Sequence, residues 1–320
     1  MWYDCSTIWE NSIINSTEDM IGLDADTHKK IKMKFVTKII CWILFPFLYL
    51  ISTLPMAVLY KVSYVIFLIL YKILHYRERV TVQNISRAFP DKKYNEIGSI
   101  EKNFYRNFAD IFVETIKSVS ISPREQKSKL DIKGFDFVKD QIEKGNSIIA
   151  CLGHCANWEI LNCLPSKIDA DVYSSYKPMT TSIINKAMLD IRSRFGMHLI
   201  TSRSTARYIL SNRNKPSLYL LIADQCPKNV KSAYQITFLN QKTSVLSGPE
   251  KLAIFTGSAV IYIKLTRKER GHFEAECQPI CENANNMQSL EITKKYTELL
   301  EQNIQYDPSC WLWTHKRWKR

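Results

Sequence analysis

A short, uninterrupted apolar run, residues 147–152, passes directly into Gly153-His154-Cys155-Ala156-Asn157-Trp158-Glu159. Without polar alternation, a run of that length reads as a strand buried on both faces, the centre of a sheet covered by helices. Residues 158–164 read as a helix, and Asn157 is suited to cap it, because its side-chain oxygen can accept from an orphan first-turn amide. His154 is therefore expected on the loop after a strand and Glu159 in the first turn of the next helix. A first-turn carboxylate is kept ionised by the helix dipole. If it reaches back to the imidazole, it fixes the tautomer and stabilises the imidazolium. The second ring nitrogen then faces the crevice beyond the strand ends, where open α/β sheets take ligands. The same spacing also fits a loop histidine bonded to backbone beside a solvated carboxylate.

The flanking pattern alternates. Helices are predicted over residues 96–117, 135–144, 181–195, 204–212, 249–256 and 289–305. Strands are predicted over 147–152, 172–176, 198–200, 218–223, 259–265 and 272–277, the last two joined by the turn at Gly271. Ser122-Pro123 is expected to close the first helical part, and residues up to Ser247 to form a long loop after the strand at 218–223. Strands alternating with helices predict an α/β fold with a mostly parallel sheet flanked by helices, made mixed by an antiparallel late pair. The aromatics of residues 96–117 fall near helical spacing, as core residues do.

Upstream, residues 35–74 form the second landmark. Residues 39–51 are apolar without a charge, and roughly 20 such residues span a bilayer core. The stretch is too long for a signal-peptide core, and no small-residue cleavage site follows it. Pro46 and Pro55 should bend it. Lysines precede it, and Lys72, Arg77 and Arg79 close it, so both flanks favour the cytoplasm. A bent or re-entrant membrane anchor is expected, with a buried core hairpin as the alternative. Three regions are expected: 1–32 as a disordered extension, 33–76 as anchor, 77–320 as catalytic domain.

A net charge of +13 calls for an anionic partner: a membrane surface, a phosphorylated substrate or an acidic protein. Nucleic acid is disfavoured, since the charge is dispersed along the chain and no recognition motif occurs. Nine cysteines show no C-x-x-C pair and no metal-like spacing with histidine, which fits reduced thiols on a cytosolic face.

Further blocks fall at predicted strand ends. Tyr176-Lys177-Pro178 is followed by Asn185, Arg192 and Arg194. Ala223-Asp224-Gln225 follows a strand. Gly248-Pro249-Glu250-Lys251-Leu252-Ala253 opens a helix after Phe238 and Thr243. The end reads Trp311-Leu312-Trp313-Thr314-His315-Lys316-Arg317-Trp318-Lys319, and Asn84-Ile85-Ser86-Arg87-Ala88-Phe89-Pro90 lies upstream. In this order, with His154-Cys155-Ala156-Asn157-Trp158-Glu159, the blocks resemble those of the bacterial lipid A late acyltransferases, within the lysophospholipid acyltransferase superfamily. Lys177 departs from the usual arginine, keeping the charge but losing bidentate geometry. Gly153 before the histidine, glutamate at the acid position and the lack of a Phe-Pro-Glu-Gly block set the chain apart from glycerolipid acyltransferases.

The resemblance implies a membrane-associated enzyme without cofactor or metal. It would move a fatty acyl chain from acyl-carrier protein to a hydroxyl of a lipid A precursor, on the cytoplasmic face of the bacterial inner membrane. His154 is then the general base and Glu159 its partner. Asn157, Lys177, Arg192, Arg194, Asp224, Gln225 and Gly248 are the expected substrate-binding residues, and the C-terminal tryptophans suit a headgroup-level surface. Another lyso-lipid or aminolipid acceptor, an acyl-CoA donor, or an inactive membrane-anchored lipid-binding protein are the alternatives.

Overall fold

The computed structural model describes residues 46–227 and 233–318; the expectations for residues 1–32 and the first part of the apolar run lie outside them. Residues 46–53 are helical, Pro55 interrupts them, and α1 (Met56–Leu68) continues through a π-helical turn, Ile69–Ile73. The carbonyls freed at the break are capped by Lys117 Nζ, 3.0 Å from Ser52 O and 3.1 Å from Leu54 O. Met56–Ile73 is the one helix among the described residues long and apolar enough to cross a membrane, and little of it is buried. Leu59, Ser63 and Phe67, spaced four apart, form its buried stripe, while Val58, Val62 and Val65 are exposed. Three further helices follow: α2 (Glu78–Ala88), α3 (Tyr94–Lys117) and α4 (Pro123–Ser128). Ser122 does not close the helical part; its hydroxyl accepts from Glu125 N at 3.1 Å and starts α4, with Pro123 in the first turn.

The sheet domain then runs β1 (Leu130–Lys133), α5 (Phe135–Glu143), β2 (Ile148–Leu152), a 3₁₀ stretch (Trp158–Ser166) and β3 (Asp171–Tyr176). It continues with α6 (Ser182–Ser193), β4 (His198–Thr201), α7 (Thr205–Ser211), β5 (Ser217–Ile222), a hairpin of β6 (Tyr234–Phe238) and β7 (Gln241–Val245), and α8 (Gly248–Thr256). The last elements are β8 (Ala259–Glu269), β9 (His272–Cys281) and α9 (Glu291–Tyr306). Seven strands form one sheet in the order β1-β9-β8-β2-β5-β3-β4. The β8–β9 pair is antiparallel and every other pair parallel, the predicted mixed sheet. Every residue of β2 is buried, as its unbroken apolar run requires, with β5 and β8 on either side. The expected long loop contains the β6–β7 hairpin, whose turn residues Leu239 and Asn240 both have positive φ. Leucine is an uncommon first residue for such a turn, and its packing explains it: Leu239 is wholly buried.

Helices cover both faces. One core joins α2, α3 and α9 to Val260, Tyr262, Trp311 and Trp313; the other joins α5 and the 3₁₀ stretch to Ile148, Ala150, Leu220 and Ile261. The C-terminal block is part of the first core. Trp311 and Trp313 are 1% and 0% exposed, and Arg317 is 2% exposed, with Nη1 2.5 Å from Thr243 Oγ1. This overturns the expected headgroup-level role: each indole N–H needs a buried acceptor, and Trp313 finds Pro308 O at 2.6 Å. The Asn84 amide donates to the carbonyls of Trp313 and His315 at 2.8 and 2.9 Å, so the upstream block holds the downstream one in place.

One core group carries a pH signature. Glu101, on α3, is 6% exposed, and its Oε1 has no hydrogen-bond partner among the described residues. Burial, and then the charge of Glu78, raise its carboxyl from 4.5 to about 7. Between these values the folded chain holds a proton that the unfolded chain releases, so this stabilising contribution is present at low pH and lost as pH rises through about 7. Glu101→Gln is expected to be more stable than wild type at pH 8, by about 1–2 kcal/mol, and close to it at pH 4.5. Urea unfolding at the two pH values checks this; parallel pH dependence in both proteins would contradict it.

Candidate active site

Parallel β2, β5, β3 and β4 bring their C-terminal ends together, and the loops leaving them enclose a cleft of about 730 Å³. Its apolar lining includes Leu152, Leu161, Met197, Leu199, Leu220 and Ile222; His154, Glu159, Lys177, Arg192, Gln225 and Gly248 supply polar groups. Six of the nine residues singled out from the sequence therefore meet at one cleft, as pockets at the carboxyl ends of such sheets do.

His154 lies just beyond β2, with 16% of its side chain exposed. Its Nδ1 is 2.7 Å from Asp224 Oδ1, and its backbone N–H donates to Asp224 Oδ2 at 2.8 Å. Asp224 follows β5, the neighbour of β2, so the parallel register carries the carboxylate to the histidine. Trp311 Nε1 donates to Asp224 Oδ2 at 2.8 Å. Burial pushes this carboxyl up, but the His154 charge and these hydrogen bonds outweigh it, and its pKa falls to about 2. The pair fixes an ionised carboxylate on Nδ1 and leaves Nε2 without a protein partner among the described residues. The Trp158 ring meets the imidazole edge to face, with centroids 4.9 Å apart.

Glu159 is therefore not the partner of His154. Its carboxylate accepts from Arg192 Nε at 2.8 Å and Nη2 at 2.5 Å, and from Trp158 Nε1 at 3.1 Å. The 3₁₀ path of residues 158–166 turns Glu159 toward α6, where a fork-to-fork bond with arginine is stronger than a single bond to imidazole. Asn157 caps as expected, accepting from Glu159 N at 3.1 Å, but it is buried, donates to Glu114 Oε2 at 2.8 Å and does not line the cleft. Arg194 also lies off the cleft, with Nη1 2.7 Å from the carbonyls of Ser118 and Ile121. Lys177 is exposed at the rim.

The C-terminal strand segment frames the histidine from behind. Cys155 bridges to Trp311, Leu312 N donates to His154 O at 3.1 Å, and Ala156 N to Cys310 O at 2.9 Å. Ala156 takes a positive φ of 48°, a strained turn held by those bonds. The Cys155 thiol is buried, and its hydrogen bond with Cys310 and then its burial raise its pKa well above the ordinary value. It is a packed thiol, unlike the exposed, low-pKa sulfur of a nucleophile. Trp311 and Cys310 are the functional neighbours that sequence spacing missed.

Gly153 makes this approach possible: a Cβ there would sit 2.5 Å from Leu300 Cδ1 on α9. Gly153→Ala is expected to cost about 1–3 kcal/mol by overpacking at the histidine loop. A denaturation midpoint unchanged from wild type would contradict the contact.

The family model for bacterial lipid A biosynthesis acyltransferases matches residues 26–320. No curated protein matches the chain. Among solved structures it is similar to the 1-acyl-sn-glycerophosphate (LPA) acyltransferase of Thermotoga maritima, at 12% identity and a TM-score of 0.35, covering 81% of this chain and 98% of that one. The match over nearly the whole sequence, together with a histidine at the end of a central strand, places the chain in the bacterial lipid A biosynthesis acyltransferase family: it is an acyltransferase.

Proposed function

We propose that the protein moves a fatty acyl chain from acyl-carrier protein to a hydroxyl of a lipid A precursor, at the cytoplasmic surface of the bacterial inner membrane. The observation that carries this reading is His154: its Nδ1 is held by buried, ionised Asp224, its Nε2 has no protein partner among the described residues, and the residue lines a cleft with many apolar side chains. In that arrangement Nε2 takes the proton of the acceptor hydroxyl as general base. The hydroxyl oxygen bonds to the thioester carbonyl carbon, the C–S bond then breaks, and the leaving thiolate receives the proton from His154. Asp224 holds the imidazole in the required tautomer and stabilises its charged form. Gln225 and the Gly248 backbone N–H line the same cleft and are donors available to the oxyanion; Pro249, next in α8, has no N–H to offer. Glu159 acts at one remove, by fixing Arg192 and Trp158 along the wall.

The exposed apolar stripe of α1 supports membrane association. Its opposite side is bound to the domain, with Ser63 Oγ 2.5 Å from Asp110 Oδ1 and Tyr60 OH 3.1 Å from Glu114 Oε1. A helix held along its length in this way fits an anchor lying in the interface rather than a straight crossing.

His154→Ala and Asp224→Asn are each expected to lower kcat by about 10²–10⁴-fold while the protein stays folded. Glu159→Ala also loses most transfer, because Arg192 is left without its carboxylate. Cys155→Ser stays active, since direct attack needs no acyl-enzyme. Mass spectrometry of lipid A from a strain lacking the gene should show the loss of one acyl chain. Near-normal turnover by His154→Ala, or a labelled thioester trapped on Cys155, would overturn the mechanism.

A further inference from the structure

Charge that reads as dispersed along the chain is gathered by the fold. Residues 172–258, whose helices and strand ends surround the cleft, contain twelve lysines and arginines against three acids, Asp190, Asp224 and Glu250. Two of those acids are buried and occupied. Asp224 holds His154, and Glu250 accepts from the backbone N–H groups of Leu290 and Thr293 at 2.6 and 2.8 Å. Of the basic residues, Arg192 is paired with Glu159, Lys215 with Asp171, and Lys228 and Lys231 lie outside the described residues; the positive charge left unpaired includes Arg203, Arg207 and Lys251.

Two elements concentrate it. Ser202, Thr205 and Ala206 line the cleft from the start of α7, and Gly248, Pro249 and Leu252 line it from α8, which packs against α7. Arg203 lies in the turn that leads into α7, and Arg207 and Leu210, spaced i, i+3 on α7, share one helix face. Lys251 and Phe255 stack in the same way on α8. All five are exposed, Leu210 at 42% and Phe255 at 75%. Among the described residues, Arg203, Arg207 and Lys251 have no hydrogen-bond or ion-pair partner. Unpaired cations around exposed apolar side chains are what a protein interface with a strongly acidic partner needs: the charges steer and orient, and Leu210 and Phe255 give an apolar centre.

We infer that the outer face of α7 and α8 is the docking surface for the acidic carrier protein that delivers the acyl thioester, an inference that rests on the acyl-transfer reading above. The occupant is chosen by charge and place. An acidic protein seated here stands at the mouth of the cleft, so a thioester on a flexible arm reaches His154 without the carrier entering.

The test uses the full chain and the triple variant Arg203→Glu, Arg207→Glu, Lys251→Glu, none of which lines the catalytic cleft. With acylated carrier protein as donor, KM is expected to rise about tenfold or more and kcat to stay within about twofold. With the same acyl group on a carrier-free pantetheine thioester, both constants should stay within about twofold of wild type. Titration with unacylated carrier protein, followed by calorimetry, should show binding to wild type and its loss in the variant, whether or not an acceptor turns over. Flotation with anionic phospholipid vesicles should be unchanged. An unchanged carrier KM would overturn the proposal, as would an equal rise for both donors. Loss of vesicle flotation with carrier binding intact would assign the face to the membrane instead. Carrier binding without acyl transfer from either donor would leave the surface standing and defeat the chemistry.

Discussion

The site depends on one buried carboxylate. Asp224 is 4% exposed and accepts three hydrogen bonds, from the His154 ring, the His154 backbone and the Trp311 indole. An ionised carboxylate in so dry a place is tolerated only when its lone pairs are met by charge or by strong donors. That requirement ties together three distant parts of the chain: the end of β2, the end of β5 and the C-terminal segment. Trp311 must be buried to reach Asp224, and the Asn84 and Arg77 side chains hold that segment down through the carbonyls of Trp313, Thr314 and His315. Blocks far apart in sequence are thus parts of one hydrogen-bonded support for an imidazole.

Much of this architecture is legible in the sequence because it rests on local signals. An unbroken apolar run marks β2, and glycines close α5, α6 and α8 at their C-terminal ends. The placement of His154, Gln225 and Gly248 at one cleft follows from the rule that parallel strands present their carboxyl ends together. The pairing inside the cleft is not legible in the same way. His154 and Glu159 are near in sequence, which invites a local dyad, yet the partner lies 70 residues away, just past the end of the neighbouring strand. Spacing along the chain does not reveal which side chain a 3₁₀ turn points at Arg192. The tryptophan-rich end misleads for a related reason: aromatic and basic residues together describe both a membrane surface and a core with a buried arginine, and only tertiary packing distinguishes the two. The β6–β7 hairpin is missed because its turn residues are selected by burial of Leu239, not by local turn chemistry.

The two faces of the molecule divide the work. α1 offers an apolar stripe outward while its polar groups bind Asp110 and Glu114 on α3, so the helix proposed as anchor is fastened to the rest of the fold. Exposed Arg207 and Lys251 lie on α7 and α8, helices that also contribute residues to the cleft lining. On the proposed reading, a lipid hydroxyl and a thioester would meet at His154 from two directions, with the histidine relaying a proton between them.

The central claim is that Asp224, not Glu159, sets the tautomer of His154. It is tested most directly by NMR of protein carrying ¹⁵N-labelled histidine, comparing wild type with Asp224→Asn and Glu159→Gln. In wild type, a hydrogen-bonded, downfield Nδ1–H signal of His154 is expected. It should survive in Glu159→Gln and disappear or shift strongly in Asp224→Asn. A signal lost in Glu159→Gln and retained in Asp224→Asn would contradict the account.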